Sequence, residues 1–247
     1  DAGEHAAVQA LRAHAAVVLD RIQLEGPQGF SLPRSALLEQ LQQALQRARV
    51  VVIAGEAGTG KSAIAKRYLS SRPFGSTFAF AAEEFKVTHI DQVLSGAQVA
   101  LNWTRCQALL PKGRTFLVEG LERLLEGDLR TAFVDLLRSV SQDNDCALLI
   151  TCRDYHLEVV ERSLLRPCGV SFERVRVPAL DDDELALAQQ VAPSLTPLLN
   201  VPALRALLRN PFLLAQAASL PQTEGSPLPQ TEQELRTDLW NRVVCDE

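Results

Sequence analysis

Gly55-Glu56-Ala57-Gly58-Thr59-Gly60-Lys61-Ser62 follows the apolar run Val50 to Ala54 and leads into a helix-competent segment, Ala63 to Leu69. The spacing fits G-x-x-x-x-G-K-[ST], and the strand-then-helix flanks are the context that this loop requires. Its glycines let the backbone curl so that successive N–H groups face a phosphate, and the helix that follows offers its positive end to the same anion. Lys61 is expected to reach the β and γ phosphates of a nucleotide. Ser62 is expected to set its hydroxyl on Mg²⁺, a hard cation that takes oxygen ligands. Gly55 to Ala63 is therefore the candidate cofactor-binding stretch.

A phosphate loop alone gives binding, so a second acidic element is sought for the metal and for water. Thr115-Phe116-Leu117-Val118-Glu119 is an apolar strand ending in a carboxylate, the Walker B pattern, which pins an acid beside the Mg²⁺ shell. Ser62 and Glu119 form the candidate metal pair. Gly120-Leu121-Glu122 adds a second acid three residues on, and Glu122 is the candidate for orienting or deprotonating the attacking water. Leu148 to Arg153 is a buried-type strand whose end carries a hydroxyl and then a guanidinium, and strand ends of this kind point at the ligand in open α/β sheets. Arg153 is the candidate γ-phosphate sensor, through a charge-assisted bond lost when that phosphate leaves.

With 247 residues and 47% hydrophobic content, the chain is long enough for a full α/β core plus a small helical appendage. A net charge of −5 leaves no basic excess for nucleic-acid phosphates, so direct binding of nucleic acid is not expected. Five cysteines without a C-x-x-C pair indicate reduced, mostly buried thiols rather than a disulfide framework or a zinc site. No apolar run approaches a membrane span and no secretory pattern opens the chain, which points to a cytoplasmic location without membrane contact. The sequence holds no Met, even at position 1, as in a processed or partial chain.

Helical spacing marks His5 to Leu24 and Ser35 to Arg47. Strands are expected at 50–54, 77–81, 115–118, 147–151 and 170–177, separated by helical stretches at 63–69, 88–110 (with Gly96 and Asn102 as interruptions), 128–140 and 155–165. This alternation implies a three-layer α/β fold with a mainly parallel sheet. Beyond Pro178 only helices are expected, at 181–191, 201–209, 212–220 and 232–244, with a Pro/Gly/Ser-rich loop near 221–231. The expected organisation is an N-terminal helix and linker over 1–33, the nucleotide-binding core over 34–178 and a helical lid subdomain over 179–247. Asp181 to Glu184 read as a helix start rather than a metal site, and the four histidines have no ligand spacing.

Five segments together resemble the STAND class of signal-transducing P-loop ATPases, which includes NACHT and NB-ARC domains and bacterial antiviral relatives. They are Ser31-Leu32-Pro33-Arg34, Gly55 to Ser62, Leu117 to Glu122, Leu149 to Arg153 and Arg209-Asn210-Pro211-Phe212-Leu213-Leu214. The resemblance covers roughly residues 31–220. It implies a P-loop NTPase core of the ASCE/AAA+-like type, ATP or ADP with Mg²⁺ as ligands, Arg34 near the adenine, Pro211 packing by the base from the helical subdomain, and Arg153 as sensor. It further implies a switch in which exchange of ADP for ATP opens the protein and drives self-association, with effector and sensor domains outside this segment and a role such as antiphage defence. Two departures stand out. Glu119 occupies a position where the family usually has Asp, so slow hydrolysis is expected, and Ser-Leu-Pro-Arg replaces the family's hydrophobic-Gly-Arg.

The functional expectation is thus a nucleotide-switch module and a slow Mg-dependent ATPase, with Lys61, Glu119, Glu122 and Arg153 as catalytic residues. Two other readings stay open at this stage: an AAA+-type remodelling or DNA-loading ATPase, and a scaffold holding ADP as a structural ligand.

Overall fold

The computed structural model describes residues 2–127, 129–220, 229 and 231–245. In chain order its regular elements are α1 (Ala2–Asp20), α2 (Ser35–Arg47), β1 (Val50–Gly55), α3 (Lys61–Ser70), β2 (Thr77–Ala81), α4 (Ile90–Gly96), α5 (Trp103–Leu109), β3 (Arg114–Glu119), α6 (Thr131–Gln142), β4 (Cys146–Arg153), α7 (Asp154–Val160), β5 (Phe172–Arg176), α8 (Asp182–Val191), α9 (Thr196–Leu199), α10 (Pro202–Leu207), α11 (Pro211–Ala218) and α12 (Glu232–Cys245). Residue contacts group them into two units. One holds residues 1–22, 34–56 and 61–177; the other holds 23–33, 57–60 and 178–247.

The first unit is built on a five-stranded sheet in the order β2-β3-β4-β1-β5, with every neighbouring pair parallel. Parallel strands are covered on both faces, so they read as continuous apolar runs, and all six residues of β1 are buried. Side chains alternate between two cores with the strand period of two. Val50, Val52, Phe78, Phe80, Phe116, Val118, Leu148 and Ile150 enter one core, while Val51, Ile53, Ala79, Leu117 and Leu149 enter the other. Helices close both faces, which makes the three layers.

The N-terminal helix expected within 1–33 is α1. It packs on the core. Its first half gives Ala7, Val8 and Leu11 to one core, and Ala15 and Val18 further along enter the other, so the helix runs past the edge strand β2. Covering an edge in this way removes a row of unpaired backbone groups from competition for pairing. Arg12 donates to the Gly75 carbonyl (3.4 Å), and His14 Nε2 lies 2.7 Å from Glu84 Oε2.

The second unit is all helical among the described residues. Leu180, Leu185, Leu195, Leu198, Leu204, Leu214 and Leu235 form its core, with Phe30 and Leu32 packed against it. Asp181 accepts from Glu184 N–H (2.8 Å) and Glu184 reaches back to Asp181 N–H (3.1 Å), a capping box that starts α8. Asp182 pairs with Arg205 and Arg209, and these two guanidiniums lower its pKa from the ordinary value by hydrogen bonding.

Several boundaries differ from the periodicity. The helical stretch expected over 88–110 is two helices broken between Gly96 and Trp103, and α6 begins at Thr131 rather than 128. The stretch after Tyr155 ends in a π-helical turn over Glu161–Leu165. β5 is shorter than the alternation over 170–177. Short 3₁₀ segments at Ala82–Phe85 and Leu121–Glu126 carry no periodic signature long enough to read. Trp103 is buried in the core, whereas Trp240 is exposed. Most of the loop expected near 221–231 lies outside the described residues.

Candidate functional site

β4 lies between β1 and β3, and this placement gathers the site. Register pairs Gly55 with Arg153 and Val118 with Ile150, so the strand ends that carry the phosphate loop, Arg153 and Glu119 stand side by side at the carboxyl edge of the sheet. Crevices outside the carboxyl ends of parallel strands are where ligands bind in open α/β sheets.

The acidic partners are fixed by named bonds. Ser62 Oγ donates to Glu119 Oε1 at 3.0 Å. Two oxygens in cis positions of an octahedral Mg²⁺ shell, each about 2.1 Å from the metal, stand about 3.0 Å apart. The hydroxyl–carboxylate pair therefore fits that cation in donor chemistry and in spacing, despite the extra methylene of Glu119. No group of three or more His, Cys, Asp or Glu that could hold a metal ion gathers among the described residues.

Glu122 sits at the start of the 3₁₀ segment after Gly120, whose left-handed φ of 74° suits glycine. The buried Gly120 N–H donates to Thr151 Oγ1 (2.8 Å), so the hydroxyl on β4 anchors the turn that presents Glu122. Both oxygens of Glu122 are engaged by one residue: Arg153 N–H donates to Oε2 (3.2 Å), and Arg153 Nε lies 3.3 Å from Oε1. Arg153 Nη1 in turn donates to the Tyr155 hydroxyl (2.9 Å). The expected water activator and the expected sensor thus neutralise each other here.

Lys61 opens α3 and donates to the Glu56 carbonyl (2.7 Å). Burial lowers its pKa, and the Glu122 carboxylate works against that shift. Cys152, between Thr151 and Arg153, is fully buried and its thiol is pushed up to about 12 by that burial, so it is a packing residue rather than a nucleophile. Asp154 pairs with Arg176 at the end of β5 (3.1 Å). Arg34, at the N-cap of α2, is buried, and Ala63 lies in the first turn of α3.

In the helical unit, Gly58 adopts φ 78°, and Gly60, in the same loop, adopts φ 91°. Pro211 occupies the first turn of α11, where its missing N–H costs nothing. Asn210, in the sequence only part of a motif, is engaged at both ends of its side-chain amide. Its Oδ1 accepts from Phe212 N–H (3.0 Å) and Leu213 N–H (3.3 Å), and its Nδ2 donates to the Ala57 carbonyl (2.8 Å). The Asn-Pro pair marked a helix start; nothing in the sequence spacing pointed to its partner 153 residues away.

No protein-family model matches the chain, and no curated protein matches it in sequence. Solved structures do. A Walker-type ATPase from Pyrococcus abyssi matches with a TM-score of 0.53 at 14% identity, over 81% of this chain and 70% of that one. The Orc1 protein from Aeropyrum pernix, solved in complex with DNA, matches with a TM-score of 0.54 at 17% identity, over 86% of this chain and 67% of that one. The fold is that of a P-loop NTPase. At these identities the likeness carries the architecture alone, and the assignment of Gly55 to Ser62 as a phosphate loop rests on its own motif and context. None of the described helices is long and apolar enough to cross a membrane.

Proposed function

We propose that this chain is the nucleotide-switch module of a STAND-class signal-transducing ATPase, acting in the cytoplasm, which binds ATP and ADP and couples their exchange to self-association and to effector and sensor modules. The observation that carries this reading is the bridging of both Glu122 oxygens by Arg153. Both Glu122 oxygens face Arg153, so Glu122 orients a water only once the Arg153 guanidinium turns to another anion. A γ-phosphate is such an anion. Arrival of ATP then draws Arg153 away, and hydrolysis is slow enough for the bound nucleotide to act as a state variable.

In this reading Lys61 leaves the Glu56 carbonyl for the phosphates, and Ser62 and Glu119 hold Mg²⁺, which supplies charge neutralisation at the phosphate oxygens. Arg34 and Pro211 take the adenine-side roles that the family resemblance implies. Nucleotide shifts the population only by its differential affinity for two conformations, about 2.7 kcal/mol for a ligand at a hundred times its dissociation constant for one of them.

The likeness to Orc1 favours a second reading, an AAA+-type remodelling or DNA-loading ATPase. One experiment separates the two. The nucleotide that co-purifies is identified, then turnover and molecular mass are followed after addition of ATP, with and without DNA. Bound ADP, slow turnover and a nucleotide-dependent rise in mass support the switch. Sustained turnover accelerated by DNA contradicts it and supports the second reading.

A further inference from the structure

We propose that Asn210 is a positioning residue for the phosphate loop, setting the direction of its backbone amides from the first turn of α11. The inference rests on the reading of Gly55 to Ser62 as a nucleotide phosphate site and extends it to a residue that the loop motif does not contain.

Two consecutive loop carbonyls are held from α11. Asn210 Nδ2 donates to the Ala57 carbonyl at 2.8 Å, and the Phe212 N–H donates to the Gly58 carbonyl at 3.2 Å. All described peptide bonds are trans. In a planar trans peptide the C=O and the following N–H point in opposite directions. Holding Ala57 O towards α11 therefore turns Gly58 N–H away from it, and holding Gly58 O does the same to Thr59 N–H. An anion cradle needs such amides aimed together at the phosphate rather than at the protein's own carbonyls.

Gly58 supplies an independent observation. The motif G-x-x-x-x-G-K-[ST] leaves this position free, yet it is glycine, at φ 78°. A Cβ there would stand 2.5 Å from Asn210 Oδ1 and 2.8 Å from Nδ2, so any side chain displaces Asn210. At Gly60, by contrast, a Cβ would meet nothing within 4 Å, and glycine there answers to φ alone. The space at Gly58 is shaped to Asn210.

Pro211 follows Asn210 and starts the helix without an N–H of its own, which leaves the Asn210 side chain to cap Phe212 and Leu213 with its oxygen while its nitrogen reaches the loop. Serine and aspartate both cap helices as well as asparagine does, but serine is too short to reach Ala57 and aspartate presents an oxygen instead of a donor. Capping and loop positioning can therefore be separated.

The test uses the 247-residue chain and a fluorescent methylanthraniloyl-ADP in Mg²⁺. Asn210→Ser and Asn210→Asp are compared with wild type for affinity and for thermal midpoint, with Lys61→Ala as reference. Loss of one hydrogen bond that orients the amides is expected to weaken binding about tenfold in both variants, with the thermal midpoint nearly unchanged. The neutral serine variant ensures that this loss is not repulsion of phosphate by a new carboxylate. In the double-mutant cycle of Gly58→Ala with Asn210→Ser, the φ penalty is common to both backgrounds, so the alanine is expected to cost less when Asn210 is shortened. Wild-type affinity in Asn210→Ser, or strict additivity in the cycle, overturns the proposal while Lys61→Ala still loses binding. Wild-type affinity in Lys61→Ala overturns the phosphate-site reading itself, and the role of Asn210 with it.

Discussion

The strand ends of the sheet and the start of α11 fix their residues by different means. At the sheet, Glu119, Thr151 and Arg153 are placed by parallel ladders whose residues are buried on both faces, so each position is fixed by many small contacts. In the helical unit, the loop residues Ala57 and Gly58 are held by one side-chain amide and one backbone N–H. Register over-determines the first arrangement and leaves it tolerant of single changes at its margins. The second depends on these two bonds alone.

Four substitutions would break or sharpen this contrast. Lys61→Ala removes the charged contact to phosphate and is expected to weaken ADP and ATP binding about a hundredfold, read by equilibrium titration. Glu119→Ala is expected to weaken ATP binding about tenfold in Mg²⁺ and to leave it unchanged in EDTA; an equal loss in both would detach Glu119 from the metal. Thr151→Val keeps the shape of the side chain but leaves the buried Gly120 N–H without its acceptor, at a cost of about 1–3 kcal/mol in denaturant unfolding. The smallest effect is expected for Asp182→Asn in the helical unit. The pKa of Asp182 is depressed by Arg205 and Arg209 in the folded protein, so its stabilisation is present above the ordinary value of 3.8 and is lost as pH falls through the lowered folded value. The difference between wild type and variant should therefore vanish at strongly acidic pH and shrink with salt, since the group is exposed.

The same contrast explains what the sequence made legible. Val50 to Ala54, Phe78 to Ala81 and Cys146 to Ile150 are uninterrupted apolar runs because a parallel sheet buries both of its faces, and the residues ending these strands follow directly. Ser62, Glu119, Glu122 and Arg153 could thus be named from spacing, and the strand order brings them to one edge. What spacing could not supply was pairing across the chain. Glu122 read as the candidate for orienting or deprotonating water, with no sign of its partner Arg153, 31 residues on. Asn210 read only as part of a motif, since the bond from its Nδ2 to Ala57 depends on a fold that no local pattern encodes. The 3₁₀ segment at Leu121–Glu126 was hidden for a further reason: six residues are too few to show a period. Likewise α1 showed an amphipathic pattern, but nothing in that pattern said that successive parts of its apolar stripe would enter cores on opposite faces of the sheet.

The claim on which everything else stands is that Gly55 to Ser62, with Glu119, binds a nucleotide together with Mg²⁺. Calorimetric titration of the nucleotide-stripped chain with ATP, in Mg²⁺ and again in EDTA, tests it most directly. One saturable site per chain, tightened by Mg²⁺, is the expected result. Absence of saturable binding, or an affinity indifferent to the metal, would contradict it.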